Sequence, residues 1–247
     1  MGFLLCLGAS ACYTTVMSIK HSPNPFSRND VHEGQIEEHL GRINHEFRDG
    51  FEFIKKYPKS VTIFGSSMLS ADSKPSQQAK ELASRIVREL DYAVVTGGGP
   101  GVMEAANHGA FEAGGKSVGL NISLPHEHMV NGFTTDHMKF SYFFSRKTLL
   151  MFAAEAYVFF PGGFGTFDEL FGVLTLVQTG KVPRVPIILF DSGYWNPIIE
   201  TLKKVMLEKY QTIDPHDLDL VEVTDSIDEA VGVISKAPLS EWWRIIN

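Results

Sequence analysis

Ala156-Tyr157-Val158-Phe159-Phe160-Pro161-Gly162-Gly163-Phe164-Gly165-Thr166-Phe167-Asp168-Glu169 sets an apolar, β-prone run against three glycines, a hydroxyl and two carboxylates. Residues 170 to 177 are largely apolar and suit a buried helix, so the glycines mark a strand-to-helix junction. The first-turn amides of such a helix have no intrahelical acceptors, and the helix dipole adds partial positive charge, so an anion is stabilised there. Gly162, Gly163 and Gly165 lack the Cβ atoms that would hold a phosphate away from the main chain, and they can take positive φ to aim successive N–H groups inward. Thr166 is the expected helix cap. A tight turn with dipole-complementing acids would account for the same residues without any ligand.

A second junction strengthens the ligand reading. Tyr92-Ala93-Val94-Val95-Thr96 runs into Gly97-Gly98-Gly99-Pro100-Gly101-Val102-Met103-Glu104-Ala105-Ala106, another strand, glycine loop and helix start. The dinucleotide pattern G-x-G-x-x-G would need glycine at Val102 or Glu104, and G-x-x-x-x-G-K-[ST] lacks its Lys-Ser or Lys-Thr. These absences disfavour dinucleotide enzymes and ATP-hydrolysing P-loops, and leave a nucleoside monophosphate or sugar phosphate as the expected ligand class.

Around these loops the chain alternates strands and helices. Strands are expected near 61–64, 92–96, 117–122, 156–160, 186–190 and 220–223, and helices near 77–90, 102–113, 145–154, 167–178, 195–208 and 226–235. Repeated β-α units predict an α/β fold, a doubly wound, mostly parallel sheet with helices on both faces in a single domain. In such sheets the loops at strand carboxyl ends converge, which would join the 65–67, 97–101 and 162–166 loops in one crevice. Ile36, Leu40, Ile43, Phe47, Phe51 and Ile54 recur at mostly three- and four-residue spacing, so residues 31–57 are expected to form an amphipathic helix ahead of a domain at 58–247. It should pack over the sheet or against a partner chain.

Residues 1–30 are expected to form a tail outside the fold. Their apolar start resembles a secretory h-region with no preceding Lys or Arg, and a start at Met17 fits equally well. The 247 residues, 44% of them hydrophobic, suffice for a sizeable core. A net charge of −7 without a dense Lys/Arg block gives nucleic-acid binding no electrostatic support, and no segment suggests a membrane partner. Cys6 and Cys12 both fall in the tail, leaving the remainder no cysteine for a disulfide or zinc, as in a cytoplasmic protein. His126-Glu127-His128 lacks H-E-x-x-H spacing, so no metal is assigned. No G-x-S-x-G occurs, which disfavours a serine hydrolase.

Between the glycine loops, Ser145-Arg146-Lys147 places two cations in an aromatic and aliphatic stretch. Unpaired burial there would be costly, so each either meets an anion or extends to solvent. In order and spacing, Gly97-Gly98-Gly99-Pro100-Gly101-Val102-Met103-Glu104-Ala105, Ser145-Arg146-Lys147 and Pro161-Gly162-Gly163-Phe164-Gly165-Thr166-Phe167-Asp168-Glu169 resemble the Lonely Guy family of phosphoribohydrolases, over about residues 60–210. The family is often labelled lysine-decarboxylase-like.

The resemblance implies a Rossmann-like homo-oligomer, a homodimer or larger, that cleaves the N-glycosidic bond of adenosine-type nucleoside 5′-monophosphates, AMP or cytokinin nucleotides, without a cofactor. It makes Glu169 the catalytic carboxylate and Arg146 its partner. It assigns the phosphate to Gly98, Gly99, Gly101, Gly162, Gly163, Gly165 and Thr166, with Ser66, Met103, Glu104 and Lys147 as further substrate contacts. Asp168 stands where relatives often carry Glu, but adjacent helical residues point in different directions, so the two are not expected to serve equally, and Glu169 is the one assigned. Leu150 replaces a methionine frequent in the plant-type pattern, and the long N-terminal helix and the segment after Tyr210 look more like the longer bacterial branch. A pyridoxal-phosphate decarboxylase would need a Schiff-base lysine, whereas Lys147 is explained by its motif with Arg146. The main competitor is a noncatalytic nucleotide or molybdenum-cofactor carrier with the same glycine loops. A pure binder has no use for a carboxylate that repels its ligand's phosphate.

Overall fold

Alternate residues of the central strands enter two different cores. In β1 (Ser60–Phe64) and β5 (Ala156–Phe159), Phe64, Tyr157 and Phe159 face one side of the sheet, while Val61, Ile63, Ala156 and Val158 face the other. This is the period-two geometry of a strand covered on both faces. The computed structural model describes residues 33–123 and 130–237. The other strands among them are β2 (Ala93–Thr96), β3 (Ser117–Ile122), β4 (Asp136–Phe140), β6 (Ile187–Phe190) and β7 (Glu222–Thr224). All pairings are parallel, in the order β4-β3-β2-β1-β5-β6-β7. The expected mostly parallel sheet is thus wholly parallel among the described residues.

One face carries α1 (Glu33–Ile54), α4 (Phe143–Phe152), α5 (Phe164–Gln178) and α6 (Ser192–Leu202), which bury Ile54, Leu149, Leu170, Val173 and Trp195. The other carries α2 (Lys74–Arg85), α3 (Val102–Glu112) and α7 (Ile227–Ser235), through Leu82, Ala83, Ala106, Val231 and Ile234. Trp195 is fully buried and its indole N–H donates to the Phe159 carbonyl at 3.0 Å, so the largest core side chain also satisfies its polar edge. Among the described residues no helix is long and apolar enough to cross a membrane.

Several boundaries differ from expectation for local reasons. Ser73 caps α2 and Pro75 enters its first turn, so that helix starts earlier than residue 77, and it ends in a π-helical turn at Ile86–Leu90. α5 begins at Phe164 with Gly163 at the cap, which makes Thr166 a buried third helical residue and not the cap. Strand β4 was not expected. Asp136-His137-Met138-Lys139-Phe140 alternates in exposure at the sheet edge, and only its pairing with β3 makes it a strand. The tail, with Cys6 and Cys12, and His126-Glu127-His128 lie outside the described residues.

Counted along the chain, the strands step outward from β1 to β4, then return to the other side of β1 at β5. The β1/β5 boundary is therefore the topological switch point, where crossovers leave toward opposite faces and open a crevice at the strand carboxyl ends.

Candidate active site

Backbone hydrogen bonds lock the three loops at this crevice together. Ser66 N–H donates to the Pro161 carbonyl at 3.0 Å, and Val102 N–H donates to the Ser66 carbonyl at 3.0 Å. The second bond depends on Gly101, whose φ is +72° and where a Cβ would lie 2.3 Å from the Ser66 oxygen. A side chain at that position would separate the β2 loop from the β1 loop.

Between the loops lies a cavity of about 440 Å³, large enough for a nucleotide-sized ligand. Of the residues expected to form the site, Ser66, Met103, Arg146, Gly163, Gly165, Thr166 and Glu169 line it. Gly98, Gly99, Gly101, Glu104, Gly162 and Lys147 lie outside its lining. Gly98 N–H already donates to Thr96 Oγ1 at 2.9 Å, and the Gly98 carbonyl accepts from Asn121 Nδ2 at 3.0 Å. Gly162 serves packing, since a Cβ there would meet Thr166 Oγ1 at 2.1 Å. Positive φ belongs to Gly98 and Gly101 among these loop glycines, so the expectation that Gly162, Gly163 and Gly165 would use it is corrected. Gly163 and Gly165 instead leave open space at the α5 N-terminus, which lets a ligand approach the unpaired amides of that turn.

Glu169 is the most unusual ionisable group here. It is 8% exposed, and its Oε2 is buried without a hydrogen-bond partner. Burial pushes its carboxyl up to about 7, a shift that Lys147 and Arg146 oppose and Asp168 reinforces. Helix geometry puts Glu169 one turn beyond Thr166 on the same buried face of α5. Asp168 diverges, as expected: its carboxylate forms a 2.8 Å ion pair with Lys147, whose ammonium also donates to the Asp168 carbonyl at 2.8 Å. Lys147 runs past Gly172 on the outer side of α5. The Arg-Lys pair is thereby divided: Arg146 lines the cavity, while Lys147 stands outside the lining, paired with Asp168, which itself borders the cavity.

Arg146 reaches the cavity from α4. Its Nε donates to the Leu120 carbonyl at 2.6 Å and an Nη donates to the Gly97 carbonyl at 3.4 Å. Burial pulls the guanidinium below the ordinary arginine value, against the favourable field of Glu169. Gly97 makes this placement possible, because a Cβ there would sit 2.2 Å from the Arg146 guanidinium. Gly97 was not singled out from sequence, although it opens the glycine cluster.

Sequence reasoning also missed a buried amide network beneath the β2 loop. Asn107 Oδ1 accepts from Thr96 Oγ1 at 2.6 Å and from Asn131 Nδ2 at 2.9 Å, while Asn107 Nδ2 donates to Ser117 Oγ at 2.9 Å. Asn131 N–H also donates to the Gly98 carbonyl at 3.1 Å. Asn121 Nδ2 joins the brace at the Gly98 carbonyl, while its buried Oδ1 has no hydrogen-bond partner; the paired members hold the loop in one conformation. The three asparagines lie far apart in sequence and carry no spacing signal. Apolar residues complete the lining: Ile122 and Leu150, with the exposed Phe143, Met68 and Phe164. Among the described residues no cluster of three His, Cys, Asp or Glu side chains could hold a metal.

The family model described as possible lysine decarboxylase matches residues 103–234. Over 180 residues the chain is 29% identical to the cytokinin riboside 5′-monophosphate phosphoribohydrolase of Rhodococcoides fascians, an overlap spanning 72% of this chain and 89% of that protein. The X-ray structure of TM1055 is similar with a TM-score of 0.54 and 28% identity, covering 72% of this chain and 99% of that one. The molybdenum cofactor binding protein of Rippkaea orientalis shares the fold at a TM-score of 0.52 and 21% identity, over 76% of this chain and 96% of that one.

Proposed function

The chain belongs to the Lonely Guy family, whose model bears the description possible lysine decarboxylase, and from that premise we propose that it is a phosphoribohydrolase. It hydrolyses the N-glycosidic bond of an adenosine-type nucleoside 5′-monophosphate, AMP or an N6-substituted cytokinin nucleotide, to free base and ribose 5-phosphate. The observation that carries this reading is Glu169: a buried carboxyl, its Oε2 without a hydrogen-bond partner, beside Arg146 and one turn beyond an open helix N-terminus. The similarity to a protein named for this reaction supports it.

In this reading the 5′-phosphate occupies the α5 N-terminus, where Gly163 and Gly165 leave room and Thr166 lies in the first turn. The ribose then extends toward Glu169, about 5 Å further along the helix. As the C1′–N bond breaks, its electron pair leaves with the base and positive charge develops at C1′. The Glu169 carboxylate stabilises that charge and takes a proton from the attacking water, whose oxygen bonds to C1′; that proton then passes to the departing base nitrogen, which releases the neutral base and restores the carboxylate. Arg146 holds anionic charge on the substrate and keeps Glu169 ionisable despite its burial. Lys147 acts from outside, as the cation that ties down Asp168.

The active form in this scheme is the carboxylate, so kcat/KM should rise with pH to a plateau, with a midpoint near 7. A bound phosphate dianion raises the carboxyl further, so the midpoint for kcat should lie above that for kcat/KM. A flat profile between pH 5 and 9 would remove Glu169 from the rate-limiting proton transfer.

The decisive experiment is chromatography of AMP and of N6-isopentenyladenosine 5′-monophosphate incubated with the purified protein. Free base and ribose 5-phosphate are the expected products; retention of bound, uncleaved nucleotide would instead identify a carrier. We also infer a homodimer or larger assembly, because Phe164, Met68 and Phe143 of the cavity lining are 96%, 90% and 64% exposed in the single chain. Light scattering should give at least twice the chain mass, and a monomer at micromolar concentration would refute this.

A further inference from the structure

The helix that carries Arg146 has no side-chain cap of its own: Tyr142 stands at its N-cap in extended conformation without a capping side chain. Two backbone donors at the entry to the helix, and one hydroxyl in its first turn, are met from another helix. Glu46, half-buried on α1, accepts the Ser141 N–H at 2.6 Å on Oε2. Its Oε1 accepts the Tyr142 N–H at 3.2 Å and the hydroxyl of the buried Ser145. Both carboxylate oxygens thus clamp the start of α4, and their negative charge complements the helix dipole. The next residue is Arg146, whose own N–H closes the first turn on the Tyr142 carbonyl at 3.2 Å.

Close helix packing fixes α1 in place for this task. At Gly50 a Cβ would lie 2.9 Å from Leu149 Cγ, so α1 and α4 approach more closely there than a larger residue would permit. Phe47 packs on Phe144 with ring centroids 6.1 Å apart, and Phe51 meets Phe152 edge-on at 5.4 Å. We propose that Glu46 is a positioning residue for Arg146: α1, through this carboxylate, sets the first turn of α4 and so the depth at which the guanidinium enters the cavity. The assignment rests on the proposed role of Arg146 and extends it to a helix that carries none of the glycine or Arg-Lys motifs. Acting through Arg146, Glu46 touches no substrate atom.

The test is a double-mutant cycle in the full chain with AMP as substrate. Glu46→Ala should lower kcat by about tenfold or more, because sub-ångström misplacement of a charged group is costly in a preorganised site. The same change in an Arg146→Lys background, where the guanidinium anchorage is already lost, should have little further effect. Withdrawal of the guanidinium also raises Glu169, so the kcat/KM midpoint should move upward in Glu46→Ala. Glu46→Gln, which keeps one acceptor oxygen, should fall between wild type and Ala, and it provides the measurement if the alanine variant fails to fold. An equal loss in both backgrounds with an unmoved midpoint would reduce Glu46 to a structural cap and overturn the proposal. If wild-type protein binds AMP without cleaving it, the functional reading fails but the cycle is run on AMP affinity with the same expectation. Absence of both binding and cleavage would defeat the two together.

Discussion

Glu169→Gln is expected to lower turnover of the nucleotide by about 1000-fold or more while nucleotide binding persists, since the amide fills the same space but can neither take a proton nor oppose charge at C1′. The same substitution should make the protein more stable at alkaline pH. Glu169 holds its proton up to about pH 7 in the folded chain, whereas an exposed glutamate releases it near 4.5. Between those values the native state binds more protons than the unfolded state, so stability falls as pH rises. The loss begins above 4.5 and is complete above about 7, and the shift corresponds to roughly 3 kcal/mol. Thermal unfolding at pH 8 should therefore show Glu169→Gln melting several degrees above wild type, with the difference gone near pH 4. Wild-type turnover by the variant would dismiss the mechanism; equal melting temperatures at pH 8 would dismiss the buried, unpaired carboxylate. Loss of activity joined to a gain in stability is the signature of a group held in an unfavourable environment for its chemistry.

Arg146→Ala should damage binding and catalysis together, lowering kcat/KM by about 1000-fold or more. Three consequences coincide. The substrate loses a cation in a cavity where desolvation strengthens charge. Glu169 loses one of the two cations that hold its carboxyl down, so the remaining activity should require a higher pH than wild type. The Leu120 and Gly97 carbonyls lose their guanidinium donors. The kcat/KM profile of the variant, measured with AMP, distinguishes this from unfolding: a large loss with an upward-shifted midpoint is expected, and an unchanged midpoint would show that the two side chains do not interact electrically. Lysine is not an adequate replacement, because its point charge cannot span the Leu120 and Gly97 carbonyls as the planar fork does.

Much of this arrangement was legible in sequence because it is written in short-range patterns. The two glycine loops sit where apolar β-prone runs give way to helical sequence, and alternation of such units predicts a parallel, doubly wound sheet. Convergence of the 65–67, 97–101 and 162–166 loops followed from that topology, since all three end strands of one parallel sheet, and the hydrogen bonds from Ser66 to Pro161 and from Val102 to Ser66 join them as expected. The divergence of Glu169 from Asp168 was equally predictable, because neighbouring residues on a helix are about 100° apart wherever the helix is placed.

Residue type and local spacing, then, determined the strand-helix alternation, the glycine loops and the divergence of Asp168 from Glu169, while the choice of Glu169 between them came from the family resemblance. Tertiary structure alone decided which partners those residues meet. Arg146 and Lys147 are adjacent and both cationic, yet packing of α4 against α5 sends one into the cavity and the other to Asp168. Asn107, Asn121 and Asn131 brace the glycine loop from three separate segments, and Glu46 caps a helix nearly a hundred residues away. Strand β4 exists through its pairing with β3, its own sequence being a weak strand former. The division has a physical cause: backbone propensity and side-chain periodicity act over one or two turns, whereas burial, charge pairing and capping act between chain segments that only the finished fold brings into contact.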